Sequence, residues 1–156
     1  MSDFRLDRLK EERKDIRKNR PMGFMAAPLK TANGELNFSI WKCKIPGPKD
    51  SPFDGGLFSL KLEFPKNYPE RAPVVFFTPP LFHPNIYTSG AVCLDLIQDK
   101  WKASITVLQL LKNLQDFLKT PNVKSPANSM AKKYYLTNRK QYDSKVKEQV
   151  KQFPYE

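Results

Sequence analysis

Between Phe4 and Arg20 the apolar residues Leu6, Leu9 and Ile16 recur close to helical spacing. Asp and Glu lie toward the start of this segment and Arg and Lys toward its end, the order a helix dipole favours. The pattern predicts an amphipathic helix with a thin apolar stripe. Lys10, Arg13, Lys14 and Arg17 follow at steps of three and four and share another face. Pro21 ends the helix, because the residue before a proline is pushed out of helical geometry. From Phe24 the pattern turns to strands. Thr31 to Gly34 reads as a turn, and Asn37 to Ile45 has the β-branched and aromatic content of a strand. After the turn residues of 47–56, Phe58, Leu60, Leu62 and Phe64 alternate with period two, and Val74 to Phe77 forms a further short strand. The stretch from Pro79 to Lys102 is aromatic and apolar without a clean period, and an apolar irregular segment of that length is often functional. Val107, Leu108, Leu110, Leu111, Leu114, Phe117 and Leu118 then predict a buried helix, with Ser104 or Thr106 as its cap. In the tail, Tyr142, Val146, Val150 and Phe153 predict a second amphipathic helix. Helix, antiparallel meander, irregular segment and helices make an α+β domain.

At 156 residues the chain is expected to form one domain, 1–156, large enough to bury its own core. No apolar run approaches the length of a membrane span and no apolar signal core opens the chain, so nucleus and cytoplasm are the expected location. Two cysteines, Cys43 and Cys93, are too few for a disulfide framework and lack C-x-x-C spacing, and one histidine, His83, does not complete a metal set. No metal is expected. Cys43, within a strand pattern, reads as an inert core residue. Cys93 follows a Ser-Gly turn in the irregular segment and reads as a candidate nucleophile. The net charge of +11 favours anionic partners without saying which. A nucleic-acid binder would need aromatics exposed among the lysines or a groove-reading helix, and neither pattern is present, so nucleic acid is not an expected partner.

The irregular segment contains His83-Pro84-Asn85, then Cys93-Leu94 with the cysteine eight residues after Asn85, then Trp101 eight residues after the cysteine. Together with Tyr68-Pro69-Glu70-Arg71-Ala72-Pro73 before it and the Asn122 to Pro126 region after it, this order resembles the ubiquitin-conjugating enzyme family over nearly the whole chain. The resemblance implies the family's fold: an N-terminal helix, a four-stranded antiparallel meander, the active-site segment and C-terminal helices. It also implies a carrier that holds a small protein modifier as a thioester on Cys93 and passes it to a substrate lysine. A thiol suits that task, being a fair nucleophile near neutrality and yielding a reactive acyl product. By resemblance Asn85 steadies the oxyanion that forms during transfer, a service a preorganised donor can provide. Tyr87 and Ser125 line the surface where the lysine sheds its proton. Ser89, Pro126 and Ala127 contact substrate, and His83 and Trp101 organise the loop. No cofactor is implied for this chain, since ATP is used by the upstream activating enzyme.

Within the family, Arg13-Lys14, Arg17-Lys18 and Arg20-Pro21-Met22-Gly23-Phe24 resemble the SUMO-conjugating branch, as do the length from Lys30 to Trp41, Ile45-Pro46-Gly47 and the ending from Asn138. This implies that Arg13, Lys14, Arg17, Lys18 and Arg20 bind the modifier and the heterodimeric activating enzyme. SUMO or a related modifier, SUMO ligases and proteins with acceptor lysines complete the expected partners. Some positions depart from the branch. The stretch from Cys93 to Trp101 lacks a two-residue acidic extension, Val74 and Phe76 stand where lysines help read an acidic acceptor motif, and Ala103-Ser104 replaces a proline-containing pair. Ser125 occupies the place of an acidic residue; it hydrogen-bonds but carries no fixed charge, which implies weaker lysine activation or more reliance on a ligase. A ubiquitin-conjugating enzyme of the same fold and a non-catalytic adaptor remain the alternatives.

Overall fold

The computed structural model describes residues 3–155; the expected domain span 1–156 reaches three residues outside these. Helix α1 covers Phe4–Asn19, capped by Asp3, whose side chain accepts from the Leu6 N–H. It buries Leu9, Glu12 and Ile16, so a carboxylate lies within the predicted apolar stripe. Arg20 is extended, as the proline after it requires.

Strands β1 (Met25–Lys30), β2 (Leu36–Pro46), β3 (Leu57–Glu63) and β4 (Val74–Phe77) form an antiparallel sheet in sequence order, β1-β2-β3-β4. The period-two alternation does its expected work. Trp41, Cys43 and Ile45 on β2, Phe58, Leu60 and Leu62 on β3, and Val75 and Phe77 on β4 point into the core. The intervening residues, including Lys42, Lys61, Glu63 and Val74, face outward. Helix α2 (Val107–Lys119) covers the inner face with Leu110, Leu111, Leu114, Phe117 and Leu118. Thr106 is its N-cap, in a reciprocal capping box with Gln109. Burying each such Leu or Phe is worth about 1.5–3 kcal/mol, so the sheet–helix sandwich is the main source of stability.

The tail holds two helices where the periodicity predicts one: α3 (Ser129–Thr137) and α4 (Arg139–Val150). Asn138 separates them, its carboxamide oxygen accepting from Gln141 N–H at the start of α4. Phe153 lies past the end of α4, in a turn whose carbonyl receives the Leu57 N–H at 2.8 Å, which ties the tail to the start of β3.

A nucleophile at the mouth of a cleft

The segment between β4 and α2 is held by hydrogen bonds rather than by periodic packing. His83 is fully buried against Phe117, ring centroids 4.3 Å apart. Burial lowers its pKa to about 4, so the ring is neutral at physiological pH. Its Nε2 lies 2.9 Å from the Phe117 carbonyl, which can only accept, so Nε2 carries the proton and donates. Nδ1 is then free to accept from the Asn85 N–H at 3.0 Å. The next residue, Pro84, offers its carbonyl to the Ala127 and Asn128 N–H groups at 2.7 and 3.0 Å. Asn85 is fully buried; its Nδ2 donates to the carbonyls of Asn122 at 2.7 Å and Ser125 at 2.9 Å, and its Oδ1 accepts from Asn122 N–H at 2.8 Å. Both amide hydrogens are thus engaged by the 122–125 segment.

From Asn85 the chain turns back on itself. Ile86 bridges Val92, Tyr87 N–H donates to the Ala91 carbonyl, and Gly90 N–H donates to the Tyr87 carbonyl. Gly90 has φ +94°, and a Cβ there would stand 2.4 Å from the Phe77 carbonyl oxygen, so the turn demands glycine. The Cys93 N–H donates to the Asn85 carbonyl at 2.8 Å, which fixes the cysteine backbone to the His-Pro-Asn loop.

The two thiols differ as their sequence contexts imply. Cys43 is 0% exposed, and burial pushes its thiol far above the ordinary range. Cys93 is half-buried and opens on a cleft of about 200 Å³ lined by Leu94, Asp95, Asn113, Asp116, Phe117, Thr120 and Asn122. Gln98, in the turn that follows Asp95–Ile97, places Nε2 3.6 Å from Cys93 Sγ, and Asn122 Nδ2 reaches Asp95 Oδ2 at 3.5 Å. The cleft therefore combines a nucleophile, two carboxylates and neutral amides. Helix α2 contributes Asn113, Asp116 and Phe117 to its lining; the two polar positions are three apart in the sequence, beside the apolar face, and carry no motif that would single them out.

Of the other expected site residues, Tyr87 is 46% exposed and Ser89 is exposed in the same turn, its Oγ accepting from Ala91 N–H at 3.3 Å. Ser125 and Pro126 are exposed on the segment held by Asn85, and Ala127 is half-buried beside Pro84. Trp101 donates from Nε1 to the Pro69 carbonyl at 2.8 Å, closing the loop against the Tyr68-Pro69 turn. Lys14, Arg17, Lys18 and Arg20 are exposed and Arg13 half-buried; none of them lines the Cys93 cleft. Among the described residues no group of three or more His, Cys, Asp or Glu is placed to share a metal ion.

A half-exposed thiol pinned to a His-Pro-Asn loop, on an α+β frame with this strand order, defines a protein class. The chain belongs to the ubiquitin-conjugating enzyme family, whose model matches residues 8–150. Two curated relatives narrow the comparison. A Caenorhabditis elegans protein named SUMO-conjugating enzyme UBC9 is 44% identical over 158 aligned residues, covering 100% of this chain and 95% of the relative. A Dictyostelium discoideum protein of the same name is 43% identical over 149 residues, 94% of each chain.

Proposed function

We infer that this chain is a SUMO-conjugating enzyme, a transferase that works through a thioester on Cys93. The observation that carries the reading is the contrast between its thiols: one sealed in the core, the other presented at a cleft by a loop whose backbone is hydrogen-bonded at Asn85 and at Cys93 itself. In the first reaction Cys93 Sγ attacks the modifier's C-terminal thioester carbonyl on the activating enzyme. The new C–S bond forms as the activating enzyme's thiolate leaves. One thioester replaces another, so the exchange needs no cofactor on this chain, and ATP is spent upstream. In the second, a substrate lysine amine attacks the same carbonyl, a tetrahedral oxyanion forms, and its collapse expels the Cys93 thiolate and leaves an isopeptide bond. The amine loses its proton in this step.

Asn85 serves this chemistry by positioning. Its side chain binds the 122–125 segment to the loop that holds Cys93, and thereby sets Ser125 and Pro126 beside the route of an incoming lysine. For Asn85 to donate to the oxyanion directly, one of its bonds to Asn122 or Ser125 would have to open as the charge develops. Tyr87 and Ser89, exposed in the turn that leads to Cys93, are available to an incoming substrate. SUMO, its heterodimeric activating enzyme, ligases and lysine-bearing substrates are the partners this cycle requires.

The test is a charging reaction with activating enzyme, ATP and either SUMO or ubiquitin. SUMO is expected to give an adduct that thiol reductant removes, and C93S a reductant-resistant ester. Charging with ubiquitin alone would assign the chain to the other branch, and no adduct on either side chain would make it an adaptor.

A further inference from the structure

The sulfur of Cys93 meets a side-chain donor from the chain just beyond it. Asp95–Ile97 winds as a single short turn, in which the Asp95 carbonyl receives the N–H groups of Gln98 and Lys100, both at 3.1 Å, and the Leu94 carbonyl that of Ile97 at 3.1 Å. The winding brings residue 98 back toward residue 93. Gln98 Nε2 stands 3.6 Å from Cys93 Sγ, a separation at which the large sulfur atom still accepts. Gln98 is itself exposed, so this contact is not a by-product of core packing.

Ionising the thiol places negative charge in a cleft that already holds two carboxylates, Asp95 from the same segment and Asp116 from α2. Among the described residues that line the cleft there is no lysine, arginine or histidine to offset them. Neutral amides are the available donors, and several are already engaged. Both Asn85 amide hydrogens go to the carbonyls of Asn122 and Ser125, and Asn122 Nδ2 is directed at Asp95. Gln98 Nε2 is the amide turned to the sulfur. A thiolate or an acylated sulfur has no proton and can only accept, so the contact suits the states through which the reaction passes. It strengthens as charge on the sulfur grows.

We propose that Gln98 is a catalytic residue of this acyl transfer, its side-chain N–H donating to Cys93 Sγ wherever the reaction puts negative charge on that sulfur. The proposal rests on the acyl-transfer reading of Cys93. During charging the thiol proton passes to solvent, an Sγ electron pair attacks the modifier's carbonyl carbon, and the activating enzyme's thiolate leaves. Gln98 raises the share of thiolate at neutral pH, while the same bond makes each thiolate somewhat less nucleophilic, so the two effects partly cancel. During discharge the lysine nitrogen adds to the carbonyl carbon and its proton goes to solvent. The oxyanion's pair then re-forms the C=O bond, and the C–S pair leaves on Sγ, where the Gln98 N–H meets it. A better-stabilised thiolate departs faster, and the neutral thioester sulfur, a poor acceptor, gains little beforehand, so here the benefit is not cancelled.

The experiment compares the full wild-type chain with Q98A, Q98E and Q98K, all changes at an exposed position. Alkylation of the uncharged protein by iodoacetamide, followed by mass between about pH 6.5 and 10, reads the thiolate, which is the reacting species. Cys43, sealed in the core, does not contribute. Q98A should react about threefold more slowly than wild type near pH 7 and at much the same rate near pH 10, where both sulfurs are ionised. Q98E, which sets another carboxylate beside the sulfur, should be slower still near pH 7, and Q98K should recover the wild-type rate. Single-turnover discharge of the charged chain to free lysine should fall about threefold in Q98A and about tenfold in Q98E at every pH, because the sulfur always leaves as thiolate. If Q98A and Q98E match wild type in either assay, the proposal is overturned and Cys93 keeps its role without it. A Q98A alkylation deficit that is the same at all pH values, as displacement of the loop would give, overturns it equally. Absence of any reductant-labile adduct on the wild-type chain overturns the Cys93 reading and the proposal with it.

Discussion

His83 shows how a single side chain can organise a site without touching the reaction. Both ring nitrogens are used, one as donor to Phe117 and one as acceptor from Asn85, and this division holds only for the neutral ring. Protonation would turn Nδ1 into a donor facing an N–H. The folded pKa of about 4 lies below the value of about 6.5 for an unfolded histidine, so between these values the unfolded chain binds the extra proton. The contribution of His83 is therefore complete above pH 6.5 and is lost as pH falls toward 4, at a limiting rate of about 1.4 kcal/mol per pH unit. His83 is the only histidine, so a His83→Gln comparison isolates the effect. In urea unfolding at pH 7.5, 6 and 5, the advantage of wild type over H83Q should shrink by about 1–2 kcal/mol across the series. Parallel pH profiles would show that the ring is not held neutral by the fold. This role was only partly legible beforehand: the tripeptide marked the position, but the partners come from Phe117, thirty-four residues away.

At the scale of elements, α1 is attached to the rest of the molecule by a polar joint that its apolar stripe conceals. The buried Glu12 carboxylate accepts from Tyr68 Oη and from Val107 N–H, the latter at 2.5 Å and at the first residue of α2. Arg8 Nε stands 3.3 Å away, while its other nitrogens donate to the carbonyls of Ala103 and Ile105 at 2.7 and 3.0 Å. Burial raises the Glu12 pKa despite these donors, so the sign is opposite to that of His83. The folded state holds the proton more tightly, and the contribution is greatest at acid pH and falls as pH rises through the folded value. E12A strands the Val107 N–H and the Tyr68 hydroxyl, and should cost about 2–4 kcal/mol in urea unfolding at pH 7. E12Q keeps a neutral acceptor for Val107 and should cost less. An E12A variant within about 0.5 kcal/mol of wild type would refute the joint. Periodicity could not find it, since a glutamate on a helix reads as solvated. Helix α3 escaped for a related reason: it buries only Ala131 and leaves Met130 and Leu136 exposed, so no apolar period marks it. The sheet was legible because each strand is buried on one face, and α2 because its apolar face is wide and its cap is threonine.

For the whole molecule the decisive property is charge. A net +11 is spread over 156 residues, yet on α1 the exposed Lys10, Lys14, Arg17 and Lys18 concentrate it on the side of a helix that stays clear of the Cys93 cleft. Encounter and chemistry are thereby separated: a partner can be drawn to one surface while the thiol remains open at another. Exposed charges of this kind accelerate association more than they deepen affinity, and their reach is the Debye length of about 10 Å at 0.1 M salt. If α1 receives the activating enzyme or an acidic modifier, the rate of thioester formation at limiting enzyme should fall several-fold between about 0.05 and 0.3 M salt. Reversing two charges in K14E/R17E should lower the low-salt rate by about tenfold and flatten the dependence, while transfer from an already charged enzyme to free lysine stays near the wild-type rate. Both positions are solvent-facing, so the folded core should be intact. Equal salt slopes for the variant and wild type would mean that α1 does not steer the encounter, and that the positive charge acts from elsewhere on the molecule.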